Sequence, residues 1–137
     1  MNNVIQELLT VAPDALPAWE KHRQFWSGEE AGAYNDIAVF AHHAVNAFAA
    51  GSNETVQRMF DVVELHLSGA TDANRDLLVV GFIEDVQNIA FHRPFGSAAF
   101  IQFLGPLARE AWREIEIAWQ GKSSLAEVIR SEKKRTK

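Results

Sequence analysis

The chain has 137 residues, four Trp, nine Phe, no cysteine and a formal net charge of −5. Its length fits one domain, and a hydrophobic fraction of 47% with 23% charged residues is typical of a globular protein that buries its own core. The lack of cysteine excludes disulfides and thiolate metal sites. No apolar run approaches the roughly 18 residues of a membrane span, and the first residues lack a signal-peptide pattern. We therefore predict a cytoplasmic protein that does not contact a membrane.

Charge is distributed unevenly along the chain. The C-terminal tail 130–137, RSEKKRTK, has five basic residues and one acidic residue, so residues 1–129 carry 8 basic and 17 acidic residues, a net of −9. An acidic body repels phosphate backbones, which argues against nucleic acid as the main partner. We interpret the short basic tail as a solubilising terminus.

Apolar residues recur at helical spacing throughout the chain, and Gly and Pro separate the periodic segments. The predicted helices are, in chain order, 2–12, 17–26, about 30–50, 53–67, 72–90, 97–104, 106–120 and a final helix from Ser124 into the tail. No segment alternates with period two beside hairpin turns, and the loops are short. The sequence predicts an all-α fold, a single compact irregular bundle of six or seven helices within residues 1–129, followed by the basic tail 130–137.

Several residues predict where these helices begin and end. Ser27 with Glu30 three residues later fits a capping box for the helix at about 30–50. Gly51 suits a left-handed cap at the end of that helix. Thr71 or Asp72 is the expected N-cap of the helix at 72–90.

The stretch 77–91, LLVVGFIEDVQNIAF, combines an apolar side with a narrow polar stripe. At 100° per residue, one side gathers Val79, Phe82, Ile83, Val86, Ile89 and Ala90, and the other gathers Leu77, Gly81, Glu84, Asp85 and Asn88, with Val80 beside them. Two interpretations follow. Either this is a core helix with one solvated edge, where Gly81 accommodates a crossing helix, or Glu84, Asp85 and Asn88 form a shallow acidic groove.

Four segments together resemble a family of small uncharacterised bacterial proteins, a domain of unknown function. They are YNDIAVFAHHAV at 34–45, MFDVVELHL at 59–67, VGFIEDVQN at 80–88 and FLGPLAREAWREIEIAW at 103–119. Ile83 and Ala108 depart from the usual pattern, in which Leu and Ser are expected. The resemblance implies an all-helical fold but assigns no activity, ligand or catalytic residue. It also implies a relation to bacterial immunity proteins, which block a cognate toxin by binding it.

Histidines are the natural candidates for catalysis or metal binding. His42 and His43 are adjacent, so they point about 100° apart and cannot share one ion from a single helix. His43 falls on the solvated face of its helix, and His66 is expected to be partly buried with one hydrogen-bonded nitrogen. His92 and Arg93 lie in the loop FHRPFG, where function is more common than on helix faces.

The spacings that carry known chemistry are missing from the sequence. No Glu-x-x-His or His-Glu-x-x-His pattern, phosphate-binding glycine loop or nucleophile elbow occurs. We therefore predict no catalytic residue, no metal site and no cofactor. Val39, Leu65 and Ile117 are expected in solvent, and if the fold brings two or more of them together with Leu77 and Val80, they form an apolar patch suited to a partner or a homodimer.

The preferred hypothesis is a non-catalytic protein-interaction domain. It would bind another protein, such as a basic toxin in the manner of an immunity protein, through Glu84, Asp85, Asn88, His92 and Arg93. The first alternative is a small ligand-binding protein or enzyme with a pocket near Glu84, Asp85, Asn88 and His92. The second is a structural homodimer.

Overall fold

The architecture is all-α, which confirms the predicted fold class. The structure, a computed structural model, describes residues 2–119, which contain seven α-helices and no strand. The helices are α1 (Asn2–Val11), α2 (Leu16–Phe25), α3 (Ala33–Ala49), α4 (Asn53–Leu67), α5 (Asp72–Leu78), α6 (Asp85–Phe91) and α7 (106–119). A π-helical segment, Val79–Glu84, joins α5 to α6, and 3-10 turns occupy Pro13–Ala15 and Ser97–Phe103. The predicted final helix and the basic tail lie outside the described residues.

The core lies between α3, α4, the π-helical segment with α6, and the second 3-10 turn. Phe60 and Phe82 meet edge to face with ring centroids 5.2 Å apart, and Phe48 packs against Phe100 at 4.9 Å. Phe60, Phe82 and Phe100 have no exposed surface. Because each fully buried side chain of this size contributes roughly 1.5–3 kcal/mol, this aromatic cluster supplies much of the stability of the fold. No helix within residues 2–119 is long and apolar enough to cross a membrane.

Helix α1 packs against α4, and a polar pair reinforces that contact. Val4 and Leu8 are buried, as the periodicity of α1 predicts. The His66 Nε2 and Glu7 Oε2 atoms lie 2.5 Å apart, and the His66 side chain is 26% exposed. The prediction of a partly buried His66 with one hydrogen-bonded nitrogen is confirmed.

The start of α3 differs from the prediction. Residues 26–28 form a turn that closes α2, with the Ser27 N–H donating to the Gln24 carbonyl. Helix α3 begins at Ala33, and its N-cap is Gly32, at a φ of 90°. Ser27 and Glu30 therefore do not form a capping box, because Gly28 (φ 83°) and Gly32 take left-handed conformations that interrupt the helix between them. The loop 26–32 instead forms a wall beside α2.

Two other helix ends follow the prediction. The Thr71 side chain accepts a hydrogen bond from the Asn74 N–H at 3.3 Å, which makes Thr71 the N-cap of α5. Gly51 has a φ of 85° after α3, the left-handed conformation that terminates a helix at little steric cost.

The predicted single helix at 72–90 is instead divided into α5, the π-helical segment and α6. Its expected apolar side is buried or half-buried, but Leu77 and Gly81, which were placed with the polar stripe, are buried too. The reason is that α3 packs over them. A Cβ atom added at Gly81 would lie 2.6 Å from Cγ2 of Ile37 and 3.4 Å from Tyr34. The interpretation that Gly81 accommodates a crossing helix is confirmed.

The apolar residues predicted in solvent divide into two groups. Leu65, Ile117 and Val80 are exposed by 66%, 64% and 48%. Val39 is half-buried against the core, and Leu77 is only 5% exposed. The predicted exposure of Val39 and Leu77 is wrong, because helix periodicity alone does not show which neighbouring helix covers an edge.

Candidate functional site

The predicted binding residues begin where the π-helical segment passes into α6. Glu84 ends the π-helical segment and Asp85 begins α6, and both side chains are half-buried. Asn88 and His92 are exposed, and Arg93 is half-buried in the loop that follows. Asn88 lies one helical turn from Glu84 and Asp85, so these three residues share one edge of the element.

Two of these residues reach toward α3. Burial raises the pKa of the Asp85 carboxyl above its ordinary value, and the charge of the nearby His42 partly lowers that pKa again. Arg93 Nη1 donates to the Asn46 Oδ1 at 3.2 Å, and the Arg93 guanidinium lies 5.5 Å from the centre of the Phe95 ring. His42 of α3 lies near Asp85, and Asn46, further along α3, bonds Arg93 just after α6, so the two helices run in the same direction. Arg93 is thus fixed by contacts within the chain.

Exposed apolar side chains flank the two acids. Val80 is 48% exposed one turn before Glu84, and Phe91 is 71% exposed one turn after Asn88, with its ring 5.3 Å from that of His92. Tyr34, 50% exposed, lies on α3 beside Gly81. We name this surface the α3–α6 face, defined by Tyr34, Val80, Glu84, Asp85, Asn88 and Phe91. It combines acidic and apolar groups on a helix pair whose opposite sides are part of the core.

A groove of about 680 Å³ lies elsewhere, between α2, the loop 26–32 and the first turn of α3. Its walls include two tryptophans, Trp19 and Trp26, and the acids Glu29, Glu30 and Asp36. We name it the α2–α3 groove. Sequence reasoning did not find it, because the capping box expected at Ser27 placed a helix where the structure has a loop.

A histidine–carboxylate pair lines this groove. His22 Nε2 and Asp36 Oδ1 lie 2.8 Å apart, and their side chains are 14% and 36% exposed. Trp19 stacks on the His22 ring with centroids 5.5 Å apart and contacts Phe40 of the core at 5.6 Å. His22 stacks on Trp19 because the two residues are three apart on α2. Its pairing with Asp36 has no local sequence signal, since the residues are fourteen apart on different helices.

Glu64 has a structural task that the sequence did not reveal. Its carboxylate accepts from the backbone N–H groups of Leu107, at 2.7 Å, and Ala108, at 3.1 Å. These are the unpaired first-turn amides of α7, where a negative charge is favourable. A Cβ atom at Gly105 would lie 2.5 Å from the same carboxylate. The glycine of the sequence Phe-Leu-Gly-Pro at 103–106 is therefore explained by a helix cap.

Gln87 is a second residue that the sequence reading passed over. It is 8% exposed, and its Nε2 donates to the Trp112 carbonyl at 3.3 Å, which joins α6 to α7. Its Oε1 accepts no hydrogen bond from the residues described. The bond from Nε2 fixes the register of the two helices, whereas the buried Oε1 without a donor costs some stability.

Within residues 2–119, no three His, Asp or Glu side chains gather closely enough to hold a metal ion. His43, placed on the solvated face by its spacing, is half-buried instead. Burial lowers its pKa, and the charge of Asp14 raises it in part. The neutral imidazole is therefore favoured at this position.

A family model described as a domain of unknown function, DUF7674, matches residues 5–120. The match spans most of the chain, which therefore belongs to this family. No curated protein and no solved structure matches the chain. The four segments that carry the resemblance lie inside the matched range.

Proposed function

We propose that this member of the DUF7674 family is a non-catalytic domain that binds a basic protein through its α3–α6 face. One observation carries the proposal: two acids, Glu84 and Asp85, lie between the exposed apolar side chains of Val80 and Phe91 on a fixed helix pair. Protein-binding surfaces typically combine apolar anchors with a polar rim.

Net charge supports a basic partner. Residues 2–119 contain seven Lys or Arg and sixteen Asp or Glu, so they carry a formal charge of −9. Such a field accelerates association with a basic protein and excludes acidic competitors. A basic toxin, neutralised in the manner of an immunity protein, is the kind of partner that this charge suits.

The environment of Asp85 supports a cation at the interface. Its carboxylate is half-buried beside α3, and burial raises the pKa of Asp85 because the ionised form loses hydration. A Lys or Arg side chain from a partner would compensate that loss and favour the ionised form. The same reasoning disfavours a homodimer through this face, because a two-fold axis would bring the acids of both copies together.

The test compares two variants with the same change in net charge. Glu84→Lys with Asp85→Asn alters the face, whereas Glu110→Lys with Asp76→Asn alters exposed acids on α7 and α5. Each protein is immobilised and exposed to host lysate, and bound proteins are eluted with increasing salt and identified. We expect a basic protein that binds the wild type and the α5–α7 variant at low salt but is lost with the face variant.

A protein retained equally by all three forms would overturn the role of the face. Loss of helical circular dichroism in the face variant would show that Glu84 and Asp85 are structural. Light scattering measures the oligomeric state and so tests the homodimer alternative. If the wild type is a dimer and the face variant is a monomer, the face binds a second copy of the chain and not the proposed basic partner.

The enzyme or ligand-binding alternative, with a pocket near Glu84, Asp85, Asn88 and His92, predicts a retained ligand. Native mass spectrometry and elemental analysis of the purified chain measure it directly. A stoichiometric metal or small molecule that is lost in an Asn88→Ala variant would favour this alternative over the interaction domain.

A further inference from the structure

The α2–α3 groove has the dimensions of a small-molecule site and no role in the proposed function. Its volume of about 680 Å³ lies in the range of known ligand pockets, roughly 300–1,000 Å³. It is bounded on one side by α2, none of whose residues is fully buried. The glycines of the facing loop, Gly28 and Gly32, leave open space where a side chain would project.

Aromatic rings form one wall of the groove. Trp19 lies on α2 and Trp26 follows Phe25, the last residue of that helix, so about 10 Å along the helix axis separates the two. Both line the groove, with His22 between them, and both are half-buried. Two indoles and an imidazole present polarisable rings over a length that suits a ligand of small-molecule size.

Charge determines which ligand these rings favour. Among residues 2–119, the groove is lined by the acids Asp36, Glu29 and Glu30 and by one permanent cation, Arg23. The C-terminus of α2 and the N-terminus of α3 both end at the groove, so their opposite dipoles largely cancel. The side chains therefore leave an excess of negative charge beside the indole rings.

We propose that the α2–α3 groove binds a small organic cation of the alkylammonium class. The positive group would lie against an indole face, where the ring quadrupole attracts cations, and the acids of loop 26–32 would supply the opposite charge. Trp19 is held by its contacts with His22 and Phe40, so that wall is preformed. Trp26, on the loop side, is the more adjustable wall.

Choline and its neutral isostere 3,3-dimethyl-1-butanol are the probes that isolate the charge. Each is titrated into the full chain while the indole N–H signals of Trp19, Trp26 and the core residue Trp112 are followed by NMR. We expect choline to shift the Trp19 and Trp26 signals saturably, with the isostere about tenfold weaker or worse, while Trp112 stays unchanged.

Two variants with a matched control locate the site. Trp26→Ala removes a lining ring, whereas Leu65→Ala removes an apolar side chain that is 66% exposed on α4 and does not line the groove. We expect about a tenfold loss of choline affinity in Trp26→Ala and no loss in Leu65→Ala. Glu29→Gln with Glu30→Gln, two exposed positions, should weaken choline by about three- to tenfold but leave the isostere unchanged.

Several results would overturn the proposal. These are no saturable shift with choline, equal binding of choline and its isostere, or the same affinity in Trp26→Ala as in the wild type. Stronger binding of acetate or inorganic phosphate than of choline would show that Arg23 and His22, not the acids, determine the ligand. If Trp26→Ala loses its helical circular dichroism, the Glu29 and Glu30 variant decides the outcome.

Discussion

Helix α2 and the element formed by the π-helical segment with α6 are attached to the molecule in opposite ways. None of the α2 residues is fully buried, and α2 contacts the core through Trp19 and the His22–Asp36 pair. In the other element, Val79, Gly81, Phe82, Ile83, Val86, Gln87 and Ala90 are all buried. Local stability follows the number of buried contacts. The second element is therefore a rigid base for a binding face, while α2 is held in place by a few contacts at the edge of the core.

The largest expected effect of this contrast is on the free energy of unfolding, when a buried and an exposed phenylalanine are each replaced by alanine. Phe82→Ala should lower the free energy of unfolding by about 3–5 kcal/mol, because it leaves a cavity beside Phe60. Phe25→Ala, on α2, should change it by less than about 0.5 kcal/mol because that ring is 80% exposed. Urea unfolding measures both. Similar losses in the two variants would contradict the contrast.

A methyl group at Gly81 should also destabilise the rigid element. Its Cβ would lie 2.6 Å from Ile37 Cγ2, and overpacking of about 1–3 kcal/mol exceeds the gain of about 1 kcal/mol in helix propensity. We expect Gly81→Ala to be destabilising in the wild type but neutral or stabilising in an Ile37→Ala background. Equal effects in both backgrounds, measured by thermal unfolding, would show that α3 does not restrict this position.

Because Glu64 caps α7 beside Gly105, substitutions at these two positions should lower stability through the same lost cap. Glu64→Ala should cost about 0.5–2 kcal/mol, the usual value of a lost helix cap. Gly105→Ala should cost a similar amount, because its Cβ displaces the Glu64 carboxylate. In the Glu64→Ala background, Gly105→Ala should then cost almost nothing. Additive losses in the double variant, determined by urea unfolding, would exclude the shared cap.

Removing the charge from the pair that holds α2 should act locally. Asp36→Asn weakens the contact with His22, but the pair is partly exposed and contributes no more than about 1 kcal/mol. We expect faster amide exchange in α2 and unchanged exchange in α6. Faster exchange in both elements would show that α2 is part of the global cooperative unit.

The smallest effect is a pH dependence at Asp85. Burial raises the pKa of this carboxyl in the folded chain above its ordinary value of 3.8, so the protonated form stabilises the fold. That contribution is complete below pH 3.8 and is lost as the pH rises through the higher folded pKa. Asp85→Asn should therefore raise the melting temperature at neutral pH. It should also reduce the fall of the melting temperature that accompanies rising pH above the ordinary pKa of Asp85. A steeper decline in the variant would contradict the sign of this shift.

Local chemistry was sufficient for the helices and several of their ends. The apolar stripe of α4, the Thr71 cap and the left-handed Gly51 all depend on residues within one or two turns, and the sequence alone determined them. The acidic balance and the all-α class follow from composition and periodicity in the same way.

Tertiary contacts decided the features on which function depends. Helix α3 buries Leu77 and Gly81, and Asp36 pairs with His22 across fourteen residues. Glu64 caps a helix that begins 42 residues later. A periodic pattern specifies which side of a helix is apolar, but it does not specify which neighbour packs there. The α2–α3 groove and the covered edge of the α3–α6 face therefore exist only because distant segments meet. Contacts between those segments, and not local helix propensity, stabilise both arrangements.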